Sequence, residues 1–134
     1  MEKKEELIEN FKTAVTSTAK TISNNNNLEI SFGNTDVKSE KLIINLPEIK
    51  DINNKNDFLN IRAIADSESL KLRYSDKKIY DLFEPTGNTS KKLYKLAEKI
   101  RYERLGSQEF NGIKKNITNY YKKKTEHINL KKNK

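Results

Sequence analysis

Leu7, Ile8, Phe11, Ala14, Val15, Thr18, Ala19 and Ile22 recur at steps of three and four residues. That spacing returns each apolar side chain to one side of an α-helix, because a turn takes 3.6 residues. A segment patterned in this way must find something to lie against, so the chain cannot be extended or wholly polar. The helix opens on Glu5, Glu6 and Glu9, where carboxylates suit the positive end of the helix dipole, and the run Asn24–Asn27 ends it.

The pattern then changes period. Leu28-Glu-Ile-Ser-Phe32 and part of Lys41-Leu-Ile-Ile-Asn-Leu46 alternate apolar with polar, with Gly33-Asn34 after the first run and Pro47 closing the second. Both read as short strands. They are expected to pair as a small antiparallel ribbon, which is marginal alone and must rest on the helices. Glu48–Lys55 reads as loop. Asp57 is expected to cap a second helix that carries Phe58, Ile61, Ile64, Ala65 and Leu72 and runs to about Tyr74. A further helical piece covers Asp76–Phe83 and stops at Pro85-Thr-Gly87. Thr89 or Ser90 is expected to cap the next helix, with the stripe Leu93, Leu96, Ala97, Ile100 and Leu105, and Gly106 to serve as its C-terminal cap. The last helix starts near Phe110 or Gly112 and uses Ile113, Ile117, Tyr120 and Tyr121. All these stripes read as core.

The expectation is therefore a mostly helical α+β domain over residues 1–125, with four to five helices and a two-stranded antiparallel ribbon. Residues 126–134 are expected to form a basic tail, truncated or disordered. At 134 residues, 34% hydrophobic and 34% charged, the chain supports one modest core under a highly charged surface. The net charge of +8 is uneven. Residues 1–98 hold 16 Lys/Arg and 16 Asp/Glu, whereas residues 99–134 hold 11 Lys/Arg and 3 Asp/Glu. The basicity belongs to the last helix and tail, and an abundance of Lys, Asn and Ile explains it as well as a partner would.

Inventory excludes several chemistries. There are no cysteines, so disulfides, thiolate metal sites and cysteine nucleophiles are ruled out. The single histidine, His127, has no second ligand near it in sequence, which leaves neither a zinc site nor a Ser-His-Asp arrangement. Glycine stands only at 33, 87, 106 and 112, so no Gly-rich phosphate loop exists, and no Asp-x-Asx-x-Asx-Gly series offers a calcium loop. The charged start Met-Glu-Lys-Lys-Glu-Glu does not resemble a secretory signal, and no run approaches the roughly 20 apolar residues of a membrane span. A cytoplasmic protein without a membrane partner is expected.

Charged residues supply the candidate site. Arg62 and Asp66 stand four apart and Glu98 and Arg101 three apart, so each couple shares a helix face; as exposed pairs they would contribute roughly 0.3–0.5 kcal/mol each. Arg73 and Asp76 flank the end of the second helix, where they bridge elements or cap a terminus. Glu98, Arg101 and Glu103 are placed to build a buried network with Arg62 or Arg73. A carboxylate enzyme would instead need a cleft lined by Asp66, Asp76 or Glu98. A third reading uses Tyr120, Tyr121 and Lys122–Lys124, since rings beside lysines suit single-stranded nucleic acid; no ribonucleoprotein or helix-turn-helix signature accompanies them, so nucleic acid is the weaker partner.

One ordered set of residues goes further. Arg62-Ala-Ile-Ala-Asp66, Ser69-Leu-Lys-Leu-Arg73, Pro85-Thr-Gly87, Glu98-Lys-Ile-Arg101-Tyr-Glu103-Arg-Leu-Gly106, and Gly112 with Asn116-Ile117 follow in series. The set resembles the N-terminal region of the CobT family, subunits of the aerobic, ATP-dependent cobaltochelatase. The opening Phe11–Ile22 is similar to that family's first helix, and Leu28–Phe32 and the run ending at Leu46-Pro47 resemble its strands. Ala63 stands where the family has glycine, Lys99 where it has glutamine, and Tyr74, Ser75 and Tyr80 where histidines are common, which removes any imidazole role at that spot.

The resemblance implies a non-catalytic scaffold in a multi-subunit ligase. A large subunit would hold the corrin, an AAA+ subunit would hydrolyse ATP, and this region would join the AAA+ partner during cobalt insertion into hydrogenobyrinic acid a,c-diamide. Cobalt and ATP would be used by the complex, and no cofactor or metal would sit on this chain. Arg62, Asp66, Arg73, Asp76, Glu98, Arg101 and Glu103 would fix helix order or dock the partner. The family's full-length members add an acidic linker and a von Willebrand A domain; the Asp-x-Ser-x-Ser motif of that domain does not occur here, which points to an N-terminal fragment.

Overall fold

The computed structural model describes residues 2–33, 42–50 and 53–132. In chain order these form α1 (Glu2–Ser23), β1 (Glu29–Phe32), β2 (Ile43–Leu46), α2 (Lys55–Tyr74), α3 (Lys77–Phe83), α4 (Asn88–Glu109) and α5 (Asn111–Lys132). Lys41 of the expected second strand, Asn34 of the expected turn and residues 133 and 134 of the expected tail lie outside the described residues. Residues 126–132 continue α5 as helix.

α2 is the hub: α1, α4, α5 and β2 all pack on it. Its apolar residues divide between two cores, with Leu70 and Tyr74 turned to the second and Phe58, Ile61, Ile64, Ala65 and Leu72 to the first. The first core joins Val15 and Ala19 of α1, Leu28, Ile44 and Leu46 of the strand region, Ile49, and Ile61 and Ala65 of α2. Phe11 and Phe58 close its rim edge to face, ring centroids 4.7 Å apart, a geometry that aromatic quadrupoles favour. The second core joins Ile22, Leu70, Tyr102, Ile113 and Ile117, with Tyr74 and Phe110 packed against it.

The two strands are parallel, with Ile30 opposite Ile44 and Phe32 opposite Leu46, so the expected antiparallel ribbon is corrected. A tight loop of roughly two to five residues can only close a hairpin, whereas the ten residues 33–42 between these strands permit either sense, and alternation of apolar and polar residues does not choose between them. Gly33 leaves the strand at φ 87°, a left-handed conformation natural to glycine.

Helix ends shift for local reasons. α1 ends as expected in the asparagine run: Asn24 takes φ 56°, and the Asn25 N–H donates back to the Lys20 carbonyl at 3.1 Å. Asn54, not Asp57, caps α2, its side-chain oxygen accepting from the Asn56 N–H at 3.0 Å. Gly87, at φ 98°, precedes α4 in place of Thr89 or Ser90, which are already helical.

Gly106 is not a cap. α4 continues through it to Glu109, and a Cβ at Gly106 would lie 2.2 Å from a Leu70 methyl carbon. Leu70 is fully buried, so the glycine exists to let α4 approach α2 closely. A second correction concerns the α4 stripe read as core. Leu93, Leu96 and Ile100 are 63%, 53% and 57% exposed, while α4 buries Tyr102, Glu103 and Gly106. Leu93 and Tyr102 are nine residues apart, which at about 100° per residue places them on opposite sides of the helix.

Candidate functional site

The polar residues singled out in the sequence all lie on or beside α2, but they form separate groups. The first centres on Asp66, only 2% exposed. Its Oδ1 lies 3.5 Å from Nε of Arg62, one turn away, and its Oδ2 accepts a 2.9 Å hydrogen bond from Nδ2 of Asn116 on α5. Arg62 reaches the other way and donates from Nη2 to Oγ1 of Thr18 on α1 at 3.2 Å. The expected exposed pair is thus half interior, and it ties α1, α2 and α5 together. Burial pushes the Asp66 carboxyl above its ordinary 3.8, against the lowering effects of the Asn116 hydrogen bond and the Arg62 charge. Nε of Arg62 is buried without a hydrogen-bond partner, held by charge alone.

The second group centres on Glu103, which is buried on α4. It accepts from Oγ of Ser67 on α2 at 2.6 Å and from the Tyr121 hydroxyl on α5 at 2.8 Å. One carboxylate therefore bonds three helices. Burial, and then the hydrogen bond to Glu103, raise the Tyr121 hydroxyl above its ordinary range. Burial likewise pushes Tyr102 up to about 12, so both phenols remain protonated.

The third group seals the α2–α3 junction. Arg101 grips Glu98 at 2.6 and 2.9 Å and donates to the Tyr74 carbonyl at 2.7 Å, while Oγ of Ser75 donates to the same carboxylate at 2.8 Å. The Arg101 hydrogen bond holds Glu98 below its ordinary value. Arg73 caps the far end of α1 by donating to the Ile22 carbonyl at 3.2 Å, and it pairs with Glu109 of α4 at 3.2 Å while lying over the Tyr74 and Phe110 rings. The Tyr74 hydroxyl also donates to Glu109. Asp76 stands apart: it caps α3, accepting from the backbone N–H groups of Lys78 and Ile79.

Neither Arg62 nor Arg73 bonds Glu98, Arg101 or Glu103 among the described residues. The sequence reading missed Ser67, Thr18, Glu109 and Tyr121 as their actual partners. Asn116 carried a signal only as part of the ordered motif set. The pairings span 18 to 50 residues in the chain, beyond any local spacing rule.

This arrangement offers little to chemistry. A cleft of about 750 Å³ runs between α2, α3 and α4, and of the three carboxylates proposed for an enzyme only Glu98 lines it. That carboxylate is fully engaged and held ionised, which makes it a poor proton donor. Tyr80, where the family commonly has histidine, stacks on Tyr94 at 4.6 Å instead. Among the described residues no three His, Asp or Glu side chains come together to hold a metal, and no helix is long and apolar enough to cross a membrane. A second groove of about 610 Å³ between the start of α2 and the end of α5 gathers Lys50, Tyr120, Lys123, Lys124 and His127.

No solved structure matches this chain. The family described as cobalamin biosynthesis protein CobT matches residues 5–133, nearly the whole length. The match takes in every residue of the three polar groups, and the inward-facing carboxylates, the close contact at Gly106 and the helical hub describe how a member of that family is built. The chain belongs to the CobT family, and with it to cobalamin biosynthesis.

Proposed function

We propose that this chain is a non-catalytic scaffold of the aerobic cobaltochelatase, coupling an AAA+ ATPase subunit to cobalt insertion into hydrogenobyrinic acid a,c-diamide. In this reading ATP hydrolysis and corrin binding belong to the ATPase and to a large corrin-binding subunit, and the complex works in the cytoplasm. The observation that carries it is the state of the buried carboxylates. Asp66 and Glu103 are each bonded to other helices, so they fix helix order instead of standing free for acid–base work. A rigid hub of this kind serves assembly. The test is capture of the AAA+ subunit by the tagged chain under native conditions. Stable retention supports the scaffold, and failure to retain it overturns the reading.

A second reading, binding of single-stranded nucleic acid, draws on the groove that holds Tyr120, Lys123, Lys124 and His127. It has one ring fewer than the sequence offered, because the Tyr121 hydroxyl is bonded to Glu103. Lys124 already sits over the Tyr120 ring, 4.6 Å from its centroid. A salt titration with single-stranded DNA separates the readings: steeply salt-dependent affinity favours this one, and no binding at low salt removes it.

A further inference from the structure

α3 and the first turns of α4 form an arm whose apolar side chains face water: Ile79, Leu82, Phe83, Leu93, Leu96 and Ile100 are all exposed. Scattered surface leucines are ordinary, but Leu93, Leu96 and Ile100 recur at helical spacing on α4, in the turns before those that pack on α2 and α5. The arm is preorganised. Tyr80 and Tyr94 stack, the Tyr94 hydroxyl donates to the Tyr80 carbonyl at 3.0 Å, and Lys91 pairs with Glu84 at 3.6 Å. Such locking lowers the ordering cost of binding.

Charge defines what fits. The carboxylates of α4 are all engaged: Glu98 by Arg101 and Ser75, Glu103 by Ser67 and Tyr121, Glu109 by Arg73 and Tyr74. Among the described residues no ion pair engages Lys92, Lys99 or Arg104. By helical geometry Lys92 and Lys99 flank the stripe on one side, and Arg104 continues it by one turn. The stripe is therefore rimmed by free cations.

We propose that this arm is a docking surface for a helix of another chain whose own apolar stripe is flanked by Asp and Glu. A second copy of this chain would set cation against cation and bring two net charges of +8 together, which disfavours self-association. An anionic lipid surface would suit the lysines but would gain little from Lys77 on α3, which the Asp81 carboxylate already engages at 2.6 Å. A helix can align its carboxylates with Lys92, Lys99 and Arg104. The proposal deepens the scaffold reading, on which it rests only for which chain supplies the helix.

The test titrates three probes into the isotope-labelled chain: a synthetic Leu/Glu amphipathic helix, its Leu/Lys counterpart, and vesicles containing anionic phospholipid. The glutamate peptide is expected to bind saturably and to perturb amides from Leu93 to Arg104. Lys92→Glu with Lys99→Glu should weaken it by about tenfold, as reversal of rim charges does. Leu96→Glu with Ile100→Glu should abolish it with an unchanged unfolding midpoint. Binding of the lysine peptide as tightly, preference for vesicles, perturbation elsewhere, dimerisation through the stripe, or no saturable binding overturns the proposal. Capture of the AAA+ subunit separates the two claims. Peptide binding without capture sinks the scaffold reading alone. Capture that survives Leu96→Glu with Ile100→Glu sinks the docking surface alone.

Discussion

Two stretches of α4 use their apolar residues in opposite ways. The stretch from Tyr102 to Gly106 turns those two residues onto α2 and α5, and the stretch from Leu93 to Ile100 turns Leu93, Leu96 and Ile100 into water. What separates them is the opposing surface. Gly106 gives α2 a place to approach, and Glu103 supplies an acceptor for two neighbouring helices. The first turns meet α3 through the Tyr94–Tyr80 and Lys91–Glu84 contacts, and the Ile79, Leu82 and Phe83 side chains of α3 are also exposed. An apolar stripe says that a helix needs a neighbour, without saying that the neighbour lies in the same chain.

The contrast can be broken most forcefully at the packed end. Leu70→Ala removes a side chain with no solvent exposure, and a loss of about 2–5 kcal/mol is expected from chemical denaturation. Gly106→Val drives a branched side chain into the same contact, and overpacking of this kind costs about 1–3 kcal/mol. Because the two residues touch, Leu70→Ala combined with Gly106→Ala should be less destabilised than the sum of its parts, whereas strict additivity would mean that the contact is not the constraint. Glu103→Ala leaves the Ser67 and Tyr121 hydroxyls without their acceptor, for a loss of about 1–3 kcal/mol. At the other end of the helix, Leu96→Ser should change stability by less than about 0.5 kcal/mol, as exposed substitutions do.

Acid sharpens the comparison between the carboxylates. Glu98 is held below its ordinary 4.5, so it contributes stability above that value and loses it as pH falls through the lowered folded value. Asp66 is raised above 3.8, so the opposite holds: its ionisation weakens the fold as pH climbs from 3.8 through the raised folded value. Glu98→Gln should therefore flatten the loss of stability on the acid side, and Asp66→Asn should steepen it relative to the wild type. Unfolding curves collected across this window read both slopes. Equal slopes in the two variants would mean that neither environment acts as described.

The sequence made some of this legible and hid the rest for identifiable reasons. Helix existence follows from period alone, and Ile113, Ile117, Val15 and Ala19 sit in the cores that their spacing implied. Burial of Asp66 could not be read from its distance to Arg62, because the deciding partner, Asn116, is 50 residues away. Gly106 near the end of a stripe looks like a cap, and only the proximity of Leu70 shows that it is a point of close approach. The strand direction is not legible in the sequence because alternation marks a strand without fixing its sense, and the ten intervening residues permit either. The exposed stripe of α4 has the same letters as a core stripe; what differs is the absence of a facing helix among the described residues.

The central claim is that α4 has one stretch for the fold and another for a partner. The chain has no cysteines, so single thiols can be placed at Leu96 and at Leu70 without a background. Labelling each variant under native conditions with a small thiol reagent is the most direct measurement. The account predicts that Leu96→Cys reacts as fast as an unprotected thiol, with an unfolding midpoint close to that of the wild type, while Leu70→Cys reacts only as the protein opens. A Leu96→Cys thiol protected to the same degree as that of Leu70→Cys in the isolated chain would contradict it.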